Sequence, residues 1–360
     1  MRLPFRIILV TLAGLALLLG GPPQSLAEEA AEAAPAAAVE PGPGQAVAVA
    51  PVATVPRSVA GPVSARTISR LLLNDATRAG ERLLAVGEHG YIIHSEDGGA
   101  TWQRGAGVRR LMLTAVRFAD TLHGWAVGHD GLIVATTDGG ASWVEQRYAP
   151  ADEKPLLGVL ALDGKRAIAV GAYGLYVETA DGGATWTERS IAVGEDDRHL
   201  NAITVFAPGQ LAIAGESGAL FVSTDDGLSW TPRTPPYEGS YFGALGLPEG
   251  RLMIYGLRGQ AFISADAGQT WTASSGAGPV TLLGGAAAAN GEVLLVGSAG
   301  TVRISRDAGR TFSPLAPTVI AAFATALPLD AGRALLFGEA GTSLLTLTPT
   351  PAPAATGVAP

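Results

Sequence analysis

The sequence predicts an all-β protein, a seven-bladed β-propeller of four-stranded antiparallel blades. Three observations support this fold class: a glycine-containing box that recurs six times, a Gly-x-x-Gly motif that recurs seven times, and a fixed spacing between them. Glycine accounts for 48 of the 360 residues, about twice its usual share, which suits a chain that turns often. A repeat of roughly 40 residues that contains four short strands is typical of a propeller blade.

The first repeated motif is a box of the form Ser/Thr-x-Asp-x-Gly-x-Ser/Thr, closed by an aromatic residue. The closing aromatic residues follow one another at nearly equal steps, from Trp102 to Phe312. A carboxylate that accepts backbone N–H bonds beside a glycine is typical of a tight turn, so we interpret the box aspartates as structural. The boxes lie at residues 95–102, 136–143, 179–186, 223–230, 264–271 and 305–312, with the aspartates Asp97, Asp138, Asp181, Asp225, Asp266 and Asp307 and the tryptophans Trp102, Trp143, Trp186, Trp230 and Trp271.

The second motif, Gly-x-x-Gly, follows a short apolar run such as residues 83–86 or 293–296. Runs of this kind are typical of strands that are covered on both faces. Glycine reaches positive φ without steric cost, so we expect the motif to form a tight turn. In six repeats the distance along the chain from the first glycine to the box aromatic is identical; the seven first glycines are Gly87, Gly128, Gly171, Gly215, Gly256, Gly297 and Gly338.

The seventh repeat has no box, because the position that corresponds to the box aromatic after Gly338 is Pro353, in a proline-rich segment. The step from Trp102 to Gly128 recurs in most repeats, and the same step taken backwards from Gly87 reaches Gly61. We therefore predict that residues 57–66 form an N-terminal strand that supplies the missing outer strand and closes the ring. Closure of this kind leaves no exposed sheet edge.

The ends of the chain differ in composition from the repeats. Residues 1–27 are typical of a secretory signal, with Arg2 and Arg6 before an apolar stretch and Ala27 at a cleavage site. Residues 28–56 are predicted to be an Ala/Pro-rich linker, residues 57–347 the propeller, and residues 348–360 a disordered tail. We expect an exported protein of the periplasm or an equivalent lumen, with no transmembrane segment in the mature chain.

Charge and cysteine content exclude several classes of function. The net charge is −8, and −10 without Arg2 and Arg6, which argues against nucleic acid as a partner. The chain has no cysteine, so disulfides, thiolate metal sites and cysteine nucleophiles are excluded. We expect a monomer without metal or cofactor.

The boxes resemble Asp-box (BNR) repeats, and the whole pattern resembles the photosystem II stability/assembly-factor family of propellers, as a bacterial member. The resemblance is carried by HGWAVGHDG and TDGGASW (residues 123–131 and 137–143) and by VGAYG and DGGATW (residues 170–174 and 181–186). It covers roughly residues 67–347. It implies a non-enzymatic scaffold that binds a membrane or envelope protein as an assembly or stability factor, without indicating a photosystem partner in particular.

In a meander, the boxes lie on one face of the ring, and the Gly-x-x-Gly turns share the other face with the connections between blades. More residues separate the box aromatic from the first glycine of the following Gly-x-x-Gly motif after Trp143 and Trp186 than after the other box aromatics. Loops carry function more often than strands, so we place a partner-binding surface on the Gly-x-x-Gly face. The candidate residues are Arg109, Arg110, His129, Tyr173, Arg198, His199, Tyr237, Tyr241 and Arg258.

Three other kinds of chemistry are conceivable for this face. A sialidase-like or other Asp-box glycoside hydrolase would need an arginine cluster and a tyrosine nucleophile paired with a glutamate, and no spacing selects such a set. A metal site is weakly supported because the histidines come from separate blades. The residues concerned are Arg109, Arg198 and Arg258 with Tyr173 or Tyr241 and Glu216 for the hydrolase, His89, His129 and His199 for a metal, and Glu195, Asp196 and Asp197 for calcium.

Overall fold

The computed structural model describes residues 57–191, 197–288 and 290–347. They form seven antiparallel sheets, and the innermost strand of each sheet contacts the innermost strand of the next sheet; the innermost strands of the last and first sheets also meet, which closes the ring. The predicted seven-bladed β-propeller is therefore confirmed. The predicted signal, linker and tail (residues 1–27, 28–56 and 348–360), and Glu195 and Asp196, lie outside the described residues.

Blades 1 to 3 follow one another along the chain, each running from its innermost strand outward. Blade 1 is preceded by β1 (Gly61–Val63) and the short helix α1 (Ala65–Ile68), and contains β2 (Leu73–Ala79), β3 (Arg82–Gly87), β4 (Ile92–Ser95) and β5 (Trp102–Arg104). Blade 2 contains β6 (Leu113–Phe118), β7 (Gly124–Gly128), β8 (Ile133–Thr136) and β9 (Val144–Arg147). Blade 3 contains β10 (Leu156–Ala161), β11 (Ala167–Gly171), β12 (Tyr176–Thr179) and β13 (Thr187–Glu188).

Blades 4 to 6 repeat this arrangement, and blade 7 has three strands. Blade 4 contains β14 (Leu200–Ala207), β15 (Gln210–Gly215), β16 (Leu220–Ser223) and β17 (Thr231–Pro232). Blade 5 contains β18 (Tyr241–Leu247), β19 (Arg251–Gly256), β20 (Ala261–Ser264) and β21 (Thr272–Ala273). Blade 6 contains β22 (Leu282–Ala287), β23 (Val293–Gly297), β24 (Val302–Ser305) and β25 (Ser313–Pro314), and blade 7 contains β26 (Phe323–Asp330), β27 (Arg333–Gly338) and β28 (Gly341–Thr346).

Helical structure in the described part of the chain consists mainly of single 3-10 turns. Within residues 57–191, 197–288 and 290–347, no helix is long and apolar enough to cross a membrane. The 3-10 turns are Glu88–Gly90, His129–Gly131, Pro150–Asp152, Ala172–Gly174, Glu216–Gly218, Pro248–Gly250, Leu257–Gly259 and Ser298–Gly300.

The two glycines of the Gly-x-x-Gly motif have different roles, as the first turn shows. Gly90 has a φ of +65°, as predicted for a tight turn. Gly87 is extended instead, and a Cβ there would lie 1.9 Å from the carbonyl oxygen of Leu72. The N–H of Glu88 donates to that same oxygen at 3.0 Å, so the first glycine is required by a close backbone approach. The expectation of positive φ was wrong for this glycine.

The Asp box is a closed set of local hydrogen bonds. In the first box, the Ser95 hydroxyl donates to Asp97 Oδ1 at 2.7 Å and accepts from the N–H of Gly99 at 2.8 Å. Asp97 also accepts from the N–H of Thr101 at 2.9 Å and from its hydroxyl at 2.6 Å. The corresponding aspartates of the other five boxes accept the same bonds. These contacts account for the box aspartates as turn residues.

Each box aromatic packs against the second strand of the preceding blade. Trp143 shares a buried cluster with Leu84 of β3, and Phe312 shares one with Met253 of β19. The same contact closes the ring, because Trp102 of blade 1 packs edge-on against Phe337 of blade 7, with ring centroids 6.1 Å apart. One packing arrangement is therefore used at all six seams that have a box.

The N-terminal strand lies at a different position from the predicted one. β1 pairs antiparallel with β5, so blade 1 has five strands, and blade 7 keeps three among the described residues. The reason is Ser58, whose N–H and hydroxyl oxygen bond to Val108 O and Val108 N, each at 3.0 Å. This anchors the segment on the side of blade 1 that faces blade 2. The prediction that residues 57–66 complete blade 7 was therefore wrong.

Gly98 provides a test of backbone strain in the box. It has a φ of +71°, and a Cβ there would meet no atom within 4 Å, whereas Ala308 holds the same box position at a φ of +56°. A non-glycine residue in this region costs about 1–2 kcal/mol. We expect Gly98→Ala to lower the free energy of unfolding by about 1 kcal/mol and Ala308→Gly to raise it by a smaller amount. Chemical denaturation of both variants would measure this, and equal signs for the two changes would contradict it.

The boxes also predict how stability depends on pH. Hydrogen bonds from the hydroxyl and N–H of Thr101, and then from Ser95, lower the pKa of Asp97 to about 2. The pKa of Asp225 is lowered to about 2 in the same way, first by the hydroxyl of Ser229. Because an unfolded aspartate titrates near a pKa of about 3.9, the stabilisation is complete above about pH 4 and is lost as the pH falls towards 2.

We expect the melting temperature of the protein to fall between about pH 4 and about pH 2. Asp225→Asn should lower it at neutral pH and should reduce the fall in acid. The matched control is Asp226→Asn, the next residue, whose side chain makes none of the box bonds. Equal acid profiles for Asp225→Asn, Asp226→Asn and the unchanged protein would contradict the assignment.

Candidate partner-binding face

The turn face of the ring is formed by the turns between second and third strands and by the connections between blades. In six blades, the residue before the second glycine of the turn has a left-handed φ of 50–56°. The first glycine of each motif is held by a close backbone approach, so these six residues stand at defined positions around the face. They are His89, Asp130, Tyr173, Ser217, Arg258 and Ala299.

Arg109 is a buried residue of this face. Its Nε donates to Glu145 Oε2 at 2.5 Å and its terminal nitrogen to Oε1 at 3.0 Å, and both side chains are 8% exposed. Its guanidinium carbon lies 4.0 Å above the ring of Tyr148. The hydrogen bond to Glu145 raises the pKa of Arg109. Arg109 thus joins the connection after blade 1 to the outer part of blade 2, and its guanidinium is occupied within the protein.

Tyr241, another candidate, is fully buried at the start of β18. Its ring packs edge-on against Tyr237 and Phe262, at centroid distances of 6.2 and 6.4 Å. Its hydroxyl has no hydrogen-bond partner among the described residues, and burial raises its pKa. A tyrosine in this setting is a poor nucleophile, which argues against its use by a glycoside hydrolase. Tyr241 supports the loop that presents Tyr237.

Arg104 and Arg110 form a positively charged region beside blade 1. Arg104 lies 3.9 Å above the ring of Tyr91 and donates to His89 O at 3.4 Å. Burial is the main cause that lowers the pKa of Arg104, and the neighbouring charge of Arg110 lowers it further. Arg110 is exposed and makes no ion pair with another described residue. Sequence reasoning selected Arg110 and missed Arg104, which lies on a strand two residues after a box tryptophan.

Tyr173, His199 and Glu216 meet where blades 3 and 4 adjoin. The rings of Tyr173 and His199 pack edge-on with centroids 4.9 Å apart, and Tyr173 remains 49% exposed. The N–H of Tyr173 donates to His199 Nδ1 at 3.1 Å, so this nitrogen is an acceptor and the neutral ring carries its proton on Nε2. Glu216 Oε2 accepts from the N–H of His199 at 3.3 Å. Glu216 thus positions His199, and the His199 ring packs against the Tyr173 ring.

A cleft of about 310 Å³ adjoins this group, on the outer side of blade 4. Arg198 and Tyr237 line it, together with Phe221 and Pro235. Arg198 donates to Ser217 O at 3.3 Å, and its own carbonyl accepts from the N–H of Gly174 at 3.1 Å. The structure therefore brings Tyr173, Arg198, His199 and Tyr237 together in one region, which we call the blade 3–4 patch.

The remaining candidates lie apart from the blade 3–4 patch. His129 belongs to blade 2, where its N–H donates to Met112 O at 3.0 Å and burial lowers the pKa of its imidazole. Arg258 stands exposed at the tip of the blade 5 turn. In the described part of the chain, no three His, Asp or Glu side chains are close enough together to hold a metal ion.

The lengthened connection after blade 2 also packs on the turn face. It contains the 3-10 turn Pro150–Asp152, which lies against the turn of blade 2. Arg147 joins the two, since it donates to Gly131 O at 2.8 Å and to Asp152 at 3.0 Å. Residues 192–196 of the second lengthened connection, after blade 3, lie outside the described residues.

With this geometry, the chain is a propeller of the Asp-box class. The model of the family described as photosynthesis system II assembly factor YCF48 matches residues 152–280, which contain blades 3 to 5 and the blade 3–4 patch. The predicted resemblance to this family is thereby confirmed. None of the curated proteins matches the chain.

Solved structures share the fold at low sequence identity. One described as YCF48 bound to D1 peptide is 22% identical over 83% of this chain and 99% of that chain, with a TM-score of 0.64. YCF48 from Cyanidioschyzon merolae is 17% identical over 80% and 98%, with a TM-score of 0.62. A catalytically inactive virginiamycin B lyase from Staphylococcus aureus, with quinupristin, is 13% identical over 81% and 100%, with a TM-score of 0.65. At these identities the likeness establishes the fold alone.

The buried pair beneath the turn face can be tested separately from binding. Glu145→Ala leaves the Arg109 guanidinium buried without its partner, and we expect it to lower the free energy of unfolding by about 3–5 kcal/mol. Arg110→Ala, at the adjacent exposed position, should change it by less than about 0.5 kcal/mol. Urea denaturation of both variants would measure the difference. Similar effects of the two changes would contradict a structural role for the pair.

Proposed function

We propose that the protein is a non-enzymatic, exported scaffold that holds a membrane or envelope protein on its turn face during the assembly of a complex. The observation that carries the proposal is the blade 3–4 patch, where the half-exposed Tyr173, the partly buried Tyr237 and Arg198 adjoin a cleft on a rigid support. Tyrosine and arginine are among the residues enriched at the centres of protein interfaces.

The geometry suits recognition of an extended peptide segment. Tyr173 is fixed by a left-handed backbone and by His199, so little side-chain freedom is lost when a partner covers it. The cleft beside Tyr237 has a volume of about 310 Å³, and Arg198 lies in its wall. Arg110 and Arg258 add exposed positive charge elsewhere on the same face.

The comparisons support the same class of function. The family model covers the blades that carry the patch, and a propeller of similar fold, YCF48, has been solved with a D1 peptide. Export is supported by the secretory pattern of residues 1–27. A hydrolase is less well supported, because the arginine cluster that it needs is not formed: Arg109 is paired with Glu145, and Arg258 belongs to the turn of blade 5.

Affinity capture from detergent-solubilised membranes of the source organism tests the proposal. We expect the full chain to retain a specific membrane protein, and Tyr173→Ala/Arg198→Ala/Tyr237→Ala to retain about tenfold less, since these side chains form the centre of the surface. The matched control is Thr137→Ala/Leu228→Ala/Arg310→Ala, three exposed residues of the opposite face. Equal retention by both variants would refute the assignment of partner binding to the blade 3–4 patch. Turnover of fluorogenic glycosides by the pure protein would refute the proposal that it is not an enzyme.

A further inference from the structure

Blade 7 differs from the other six blades at its outer edge. In the described part of the chain, β28 has no strand beyond it, whereas the third strand of every other blade is paired with a fourth. Leu344, on this edge strand, is 49% exposed. An unpaired edge presents a row of free N–H and C=O groups, to which an extended chain can bond.

A cavity of about 720 Å³ lies beside this edge, on the face of the ring that carries the boxes. Its walls come from the seam between blades 6 and 7, and they are mostly apolar, with Leu294, Ile304, Leu327 and Leu347 among them. Asn290, Glu292 and Asp330 add polar groups to its lining. The cavity and the edge strand meet at Leu347, the residue directly after β28, whose own N–H and carbonyl oxygen bond to Gly332 and Arg306.

The other six seams between blades indicate which kind of side chain fits this cavity. At each one, a box aromatic shares a buried cluster with the residue three positions before the first glycine of the preceding blade. The pairs are Trp102 with Leu335, Trp143 with Leu84, Trp186 with Trp125, Trp230 with Ile168, Trp271 with Ala212, and Phe312 with Met253. The seventh residue of this series is Leu294, which lies in the cavity wall and has no box aromatic in its cluster.

Residues 348–360, which follow Leu347 directly, do not carry the side chains of a box. At the positions of the box aspartate, second glycine and aromatic, they have Thr348, Thr350 and Pro353. They contain no aromatic residue, and Phe5 is the one aromatic among residues 1–56.

We propose that the seam between blades 6 and 7 is a binding site for an extended segment of a partner protein that carries a tryptophan or phenylalanine beside small polar residues. Its aromatic side chain fills the cavity over Leu294, and the residues that follow pair with β28 as a fourth strand. Main-chain hydrogen bonds to the edge supply affinity, and the cavity selects the aromatic. This site lies on the box face, separate from the blade 3–4 patch.

The probe for this site is a synthetic peptide with the sequence of residues 136–147, the second box with its outer strand, labelled for fluorescence anisotropy. We expect it to bind the full chain, and the same peptide with Trp143→Ala to bind about tenfold more weakly or less, since a buried aromatic anchor carries such an interaction. Equal binding of the two peptides would overturn the proposal.

Two protein variants locate the site. Ala288→Trp places an indole on the cavity wall and should weaken binding of the peptide about tenfold, since it fills the pocket that the anchor needs. Ala265→Trp adds the same group at an exposed position of the box face and should leave binding unchanged. Melting curves confirm that both variants are folded. Equal binding by the two variants would overturn the location.

A third variant adds to the chain the box and the outer strand that blade 7 lacks. Replacement of residues 348–355 by the sequence of residues 97–104 builds a seventh box, and we expect a higher melting temperature together with loss of peptide binding. Two results would overturn the proposal that a segment of a partner protein occupies this site. Tighter peptide binding after removal of residues 348–360 would assign the site to the chain's own tail. A dimer in sedimentation that the seventh box abolishes would assign it to a second copy.

Discussion

The contact between each box aromatic and the second strand of the preceding blade holds the ring together. The chain has no cysteine, so covalent cross-links cannot contribute. Second strands such as β3 are buried on both faces because a neighbouring blade covers each of them. A blade alone would leave one apolar face in water, and its stability therefore depends on its neighbours. The closing contact of Trp102 with Phe337 makes the first and last blades part of the same system.

The two faces of the ring follow from this arrangement and differ in how far they vary. On the box face, the same serine or threonine, aspartate and glycine make the same bonds in all six boxes, as in Ser95, Asp97 and Gly99. On the turn face, the glycines fix the backbone while the residue between them differs in almost every blade. A fixed backbone with variable side chains is a suitable basis for a binding surface. This is why Tyr173 and Arg258 occupy equivalent backbone positions with different chemistry.

Blade 7 is the place where the repeat is incomplete, and the effect on the ring is local. Its first two strands pack at both seams like those of any other blade, so the ring closes without a fourth strand. The missing fourth strand affects only the outer edge of blade 7 and the cavity above Leu294. The two proposed binding sites thus lie on opposite faces of the ring, and each arises where the repeat changes.

The sequence by itself determined the number of blades, the positions of the boxes and the two faces. These features depend on spacing along the chain, where a glycine or an aspartate dictates a local turn. It did not determine the position of β1, which depends on bonds from Ser58 to the distant Val108. Nor did it separate exposed Arg110 from buried Arg109, since burial there depends on Glu145 and Tyr148 of the next blade. Only tertiary structure decides such matters, because contacts between residues distant in the chain leave no periodic pattern in the sequence.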